Sequence, residues 1–155
     1  KLPQDLQEFL DNAKDGVIYF SMGSHLKSAD FPPEKRDAIL RSFSKLKEKV
    51  LWKWEEDVLP GQPKNVKLSK WLPQQSILAH PNVKLFITHG GLSSTTETVY
   101  HGVPILAVPV FGDQKLNARS AMNNGFGLMI PYNEVTEDRF TQSIQEILNN
   151  PKYDT

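Results

Sequence analysis

The sequence contains no cysteine. A disulfide scaffold, a thiol nucleophile and a cysteine zinc site are therefore excluded. It also has no charge of one sign to spare. Its 18 Lys and Arg balance 18 Asp and Glu, so no overall excess exists to neutralise nucleic-acid phosphates. No apolar run approaches the ~18 residues that argue a membrane span. The longest uncharged and mostly apolar stretch, Gly102 to Gly112, holds two prolines. The opening Lys1-Leu-Pro-Gln-Asp5 lacks the pattern of a signal peptide. No Asn-X-Ser/Thr acceptor, internal repeat or low-complexity tract occurs. Standard dinucleotide, P-loop and serine-hydrolase signatures are missing as well. The histidines (His25, His80, His89 and His101) show neither HExxH nor close pairing, so no metal is expected.

What remains is a chain of 155 residues, 39% hydrophobic and 23% charged. That is the composition of one soluble globular domain. Short apolar runs alternate with longer amphipathic ones. Strands are expected at 16–21, 50–54, 65–68, 83–88, 103–108 and 127–130, where β-branched and aromatic residues cluster. Helices are expected where Ile39, Phe43, Leu46 and Val50 recur at helical spacing, and over 73–79, 94–101, 114–124 and 136–149. Gly102 and Gly125 end two of them, and Thr136 caps the last. About six strands alternating with about five helices point to an α/β domain with a doubly wound, Rossmann-like parallel sheet. Ligands bind such sheets outside the carboxyl ends of the strands. The loops to inspect are therefore 22–24, 88–94 and 109–114.

The densest chemistry lies at Thr88-His-Gly-Gly-Leu-Ser-Ser-Thr-Thr-Glu97. A strand ends, Gly90 and Gly91 allow close backbone approach, and a hydroxyl-rich helix begins. Unpaired N–H groups at a helix start attract a diphosphate, and His89 can donate beside them. The same Ser94 to Glu97 run also reads as a capping box, and the two roles can coexist. Asp113 and Gln114 follow a strand end at Pro109-Val-Phe-Gly. They suit vicinal sugar hydroxyls, or Asp113 simply caps the next helix. Trp71, before Leu72-Pro-Gln74, either packs in the core or offers a face on which a flat base stacks.

In order, Trp71-Leu-Pro-Gln-Gln-Ser-Ile-Leu-Ala-His-Pro81, Phe86-Ile-Thr-His-Gly-Gly91, Glu97, Gly102-Val-Pro104, Pro109 and Phe111-Gly-Asp-Gln114 resemble the UDP-glycosyltransferase signature of the family 1 glycosyltransferases. Phe20-Ser-Met-Gly-Ser24 and Val50-Leu-Trp52 match its animal, insect-like members. The resemblance covers nearly the whole chain. It implies the C-terminal, donor-binding half of a two-domain GT-B enzyme, residues 1–155 forming a single UDP-sugar-binding domain. An N-terminal acceptor domain and a membrane anchor would lie elsewhere, so this piece is expected to be soluble.

Carried over residue by residue, the resemblance has Trp71 stack on uracil while the Leu72 backbone bonds its edge. Gln74 and Glu97 hold the ribose. Ser24, His89, Gly91, Ser93 and Ser94 hold the diphosphate, and Asp113 and Gln114 hold the sugar. Two positions depart from the pattern. Ser93 stands where many members have Asn, and Lys53 stands where vertebrate members have Arg, losing a bidentate fork.

The implied activity is inverting transfer of glucose or glucuronic acid from UDP-sugar to a hydroxyl of a small lipophilic acceptor. The general base is expected in the N-terminal domain, so no catalytic residue is assigned here and the fragment alone should be inactive. The implied partners are UDP-glucose or UDP-glucuronate and the acceptor, with no cofactor, no metal and no nucleic acid, and with a homodimer left open. The implied location is the lumenal side of the endoplasmic-reticulum membrane. A non-catalytic nucleotide-sugar module, an α/β interaction domain and another GT-B relative, such as the N-acetylglucosamine epimerases, are the alternatives.

Overall fold

A computed structural model of the chain describes residues 3–21, 33–54, 59–70, 72–88, 102–108 and 127–149. All six expected strands lie among them: β1 (Val17–Ser21), β2 (Lys49–Lys53), β3 (Val66–Ser69), β4 (Val83–Thr88), β5 (Ile105–Ala107) and β6 (Gly127–Met129). They form one sheet in the order β3-β2-β1-β4-β5-β6. Every neighbouring pair is parallel. Parallel pairing explains why the strands read as continuous apolar runs, since both faces need cover.

The cover comes from four described helices: α1 (Gln4–Asn12), α2 (Pro33–Ser44), α3 (Gln74–Leu78) and α4 (Glu137–Asn149). Ile18, Phe20, Val50, Trp52, Leu85 and Ile87 pack with Ile39 and Phe43 of α2 and Phe140, Ile144 and Ile147 of α4. On the opposite face, Val17, Tyr19, Leu51, Val83 and Phe86 pack with Leu6 and Leu10 of α1 and Ile77 and Leu78 of α3. Strand alternation divides the side chains between the two cores. One irregularity serves this division. The register runs Val17↔Val83 and then Ile18↔Leu85, so Lys84 is an extra residue. It lets Val83 and Phe86 share a face although three positions separate them. Gly127 is required for close approach: a Cβ there would sit 1.8 Å from the Ile105 carbonyl oxygen.

Three differences from the sequence expectations have physical causes. Helix α1 was not expected. Its apolar face is Leu6, Phe9 and Leu10 in a segment of nine residues, and it is fastened by the fold, where the Asn82 side-chain amide donates to the Leu10 carbonyl (2.8 Å). Helix α2 stops at Ser44 instead of running through Leu46 to Val50. The Asn65 amide donates to the carbonyls of Phe43 (2.8 Å) and Glu48 (2.9 Å), which draws the chain out of the helix and delivers Val50 to β2. The ladder of β5 begins at Ile105 instead of Val103, because Pro104 has no N–H to donate. Thr136 does cap α4, its hydroxyl accepting the Arg139 N–H at 3.2 Å. The expected helices at 94–101 and 114–124, and the Gly125 cap, lie outside the described residues.

Helices α2 and α4 are also joined electrostatically. Arg41 of α2 and Lys45, just past its end, both donate to the Glu137 carboxylate at the start of α4. The Lys45 hydrogen bond, then that from Arg41, holds the Glu137 carboxyl below its ordinary range. A depressed folded pKa means stability that is present above the ordinary carboxylate value and is lost as pH falls through the folded one. Glu137→Gln should therefore lower the melting temperature slightly at neutral pH. The gap to the parent should close as pH falls below the depressed folded value, when the parent carboxylate is itself protonated. Added salt should narrow the neutral-pH gap, because the pair is solvent-exposed. Melting curves across pH check both points.

Candidate functional site

The strand order changes direction beside β1. From β1 the chain builds outward through β2 and β3, then returns to place β4 on the other side of β1. This is the switch point at which open α/β sheets hold ligands, outside the carboxyl ends of the strands. The ends that flank it are Ser21 and Thr88, which are direct partners in the ladder. Both are buried polar residues at the rim of an apolar sheet. The Thr88 carbonyl accepts the Val108 N–H at 2.7 Å, which brings the end of β5 alongside. On the other flank Lys53, exposed at the end of β2, pairs with Ser69 of β3. The Ser69 carbonyl accepts the Trp54 N–H at 2.9 Å.

Two of the candidate residues are described. Leu72 is buried among the residues that pack under α1 and α3. Its side chain is thus an anchor, and only its backbone is suited to a polar contact. Gln74 opens α3 and is half-buried. The Tyr19 phenol, from the middle of β1, donates to Gln74 Oε1 at 3.3 Å. Tyr19 in turn lies flat on Phe86 of β4, with ring centroids 5.0 Å apart and planes 7° from parallel. A side chain of the central strand therefore holds one end of the Gln74 amide. Tyr19 was not singled out from sequence. Its signal was a hydroxyl in an otherwise apolar strand, since a buried tyrosine normally finds a partner for its O–H.

The other candidates, Ser24, Trp71, His89, Gly91, Ser93, Ser94, Glu97, Asp113 and Gln114, lie outside the described residues. In the sequence, His89 directly follows the last residue of β4, and Ser24 is three residues past the end of β1. Trp71 adjoins Leu72, and Asp113 follows Val108 by five positions.

A second titratable pair was not anticipated. His80 Nε2 meets Asp11 Oδ1 at 2.7 Å, and His80 Nδ1 accepts the Asn82 N–H at 3.1 Å. The first contact, helped by a hydrogen bond from Gln7, holds the Asp11 carboxyl below its ordinary range. An Asp–His pair invites comparison with an acid–base dyad. Its position and bonding argue otherwise. His80 precedes the start of β4, so the length of that strand, about 17 Å, separates the pair from the carboxyl ends. Both imidazole nitrogens are already engaged, so neither is left to accept a substrate proton. With Asn82 bonded to Leu10, the pair fastens α1 to the loop before β4.

A family model described as "UDP-glucoronosyl and UDP-glucosyl transferase" matches residues 1–155. Among curated proteins, "UDP-glycosyltransferase UGT5" of Dactylopius coccus is 51% identical over 152 residues, covering 98% of this chain and 29% of that protein. A "UDP-glucuronosyltransferase" of Pleuronectes platessa is 40% identical over 153 residues, covering 98% of this chain and 32% of its own length. The chain thus spans less than a third of the curated relatives it matches. Among solved structures, a "UDP-glucose: anthocyanidin 3-O-glucosyltransferase in complex with UDP" superposes with a TM-score of 0.82 at 28% identity, over 99% of this chain and 37% of that one.

Proposed function

This chain belongs to the UDP-glucoronosyl and UDP-glucosyl transferase family, and on that premise we propose that it is the donor-binding part of a longer enzyme. That enzyme moves a hexose from a UDP-sugar to a hydroxyl group. One observation carries the proposal. The sheet reverses direction between Ser21 and Thr88, and the segments bearing Ser24 and His89 to Glu97 are covalently attached to those two strand ends. A chain advances at most ~3.6 Å per residue, so the start of each segment is tethered beside the switch point.

In this reading uracil stacks on Trp71, with the Leu72 backbone at its edge, and the ribose sits against Gln74 and Glu97. The diphosphate is held by Ser24, His89, Gly91, Ser93 and Ser94, and the sugar by Asp113 and Gln114. Buried Leu72 supports its share of this, because a locked side chain fixes the backbone beside it. The acceptor oxygen attacks the anomeric carbon. A carbon–oxygen bond forms there as the bond to the diphosphate oxygen breaks. UDP leaves with the electron pair, and a base outside this chain takes the acceptor proton, giving inversion. Donors aimed at the diphosphate stabilise the leaving group as charge develops. His89 fits that part and not that of the base. Glucose or glucuronic acid is the proposed sugar, and a small lipophilic alcohol or phenol the acceptor. The lumenal face of the endoplasmic-reticulum membrane is the proposed location; that location and the acceptor class are supported by family resemblance alone.

Turnover tests this. The whole enzyme, given UDP-glucose or UDP-glucuronate and a panel of phenols, should form a glycoside. His89→Ala should lower kcat about a hundredfold or more. The 155-residue chain alone should form none. Glycoside made by the isolated chain would contradict the division of labour. No glycoside from the whole enzyme with either donor would contradict the activity.

A further inference from the structure

We propose that Tyr19 is a positioning residue for the donor nucleotide and acts through Gln74. The inference rests on the reading that Gln74 holds the ribose. A glutamine side chain has several rotatable bonds, and ordering it on binding costs free energy. How well it serves a ligand therefore depends on what holds its amide in place. Here the Tyr19 phenol donates to Gln74 Oε1 from 55 positions earlier in the chain. That contact pins the amide against the sheet at the start of α3, so the side chain that meets a ribose is held in place.

The tyrosine is itself held. It is buried, stands on the central strand, and its ring is stacked on Phe86. Its hydroxyl therefore has little freedom to follow a moving amide. Helix α3 has only five residues, too short to be stable by propensity alone, so its first residue depends on tertiary contacts for its place. The sheet supplies the missing constraint. A bound ribose then meets an amide already in place, and the cost of ordering it on binding is reduced.

The test is Tyr19→Phe in the whole enzyme, alone and combined with Gln74→Ala. The phenylalanine keeps the ring on Phe86 and removes only the hydroxyl. The Michaelis constant for UDP-sugar should rise about three- to tenfold, as expected for one neutral hydrogen bond. The kcat, the Michaelis constant for acceptor and the melting temperature should stay close to the parent values. In the Gln74→Ala background the same change should have no further effect, because the residue it acts through is gone.

Three results would overturn the proposal. If Gln74→Ala weakens donor use and Tyr19→Phe does not, the ribose reading of Gln74 stands and the role of Tyr19 fails. If Tyr19→Phe has the same effect with or without Gln74, it acts by another route. If Gln74→Ala itself leaves donor use unchanged, the ribose reading fails and the role of Tyr19 with it.

Discussion

Phe43→Ala is expected to cost the domain about 3–5 kcal/mol, the range for deleting a buried phenylalanine side chain. Phe43 is fully buried on α2 and touches aromatic rings from three other elements. Its ring lies edge-on to Phe20 (5.7 Å), Trp52 (6.1 Å) and Phe140 (5.7 Å). Edge-to-face pairs add to what area burial alone contributes. The ring also joins β1, β2 and α4 at one point, so its removal leaves a cavity that no single side chain can fill. A domain of this size has about 5–15 kcal/mol to lose, and each kcal/mol moves the melting temperature by about 2–4 °C. A fall of roughly 6–20 °C should follow. Phe43→Leu should show a smaller fall, since it keeps most of the volume. Thermal melts of the two variants beside the parent decide it. A fall of under about 2 °C for the alanine variant would show that the cluster repacks around the gap.

Trp71→Ala should weaken UDP binding by about five- to 150-fold, from ~1–3 kcal/mol of base–aromatic stacking. The loss should be nearly equal for UDP, UDP-glucose and UDP-glucuronate, because the uracil is common to all three. Binding lost equally in ground and transition states raises the Michaelis constant and leaves kcat alone. The sequence offers a convenient optical check. It has three tryptophans, and Trp52 and Trp54 are buried in the core with their rings 5.1 Å apart. A change of tryptophan fluorescence on adding UDP should therefore come from Trp71 and vanish in Trp71→Ala. A change that survives in the variant would place the nucleotide elsewhere.

The sheet was legible in the sequence because parallel strands covered on both faces must be apolar throughout. Val17 to Phe20 and Leu85 to Ile87 show that plainly. The limits of α2 were not legible. Leu46 and Val50 continue the helical spacing of Ile39 and Phe43, and the signal that ends the helix is Asn65, which reaches back from the start of β3. Helix α1 was missed although Leu6, Phe9 and Leu10 stand at helical spacing, because the segment is short and the face they meet is set by the fold. Candidate site residues were read in two different ways. His89 to Glu97 and Asp113-Gln114 were singled out as polar chemistry after expected strand ends. Their roles toward base, ribose and sugar came from family resemblance. Tyr19 could not be connected with Gln74 from sequence, because 55 positions separate them and only the return of the chain across β1 brings them together.

The central claim is that the switch point between β1 and β4 is a uridine diphosphate site. Titration of the folded chain with UDP and ADP, followed by NMR, tests it most directly. Affinities in the millimolar range correspond to only about −4 kcal/mol, so the method must detect weak binding. The account predicts that UDP binds more tightly than ADP, with shifts at Leu72, Gln74 and Thr88, and that Trp71→Ala removes the preference. A folded chain that binds ADP as well as UDP, or whose shifts fall away from those residues, would contradict it.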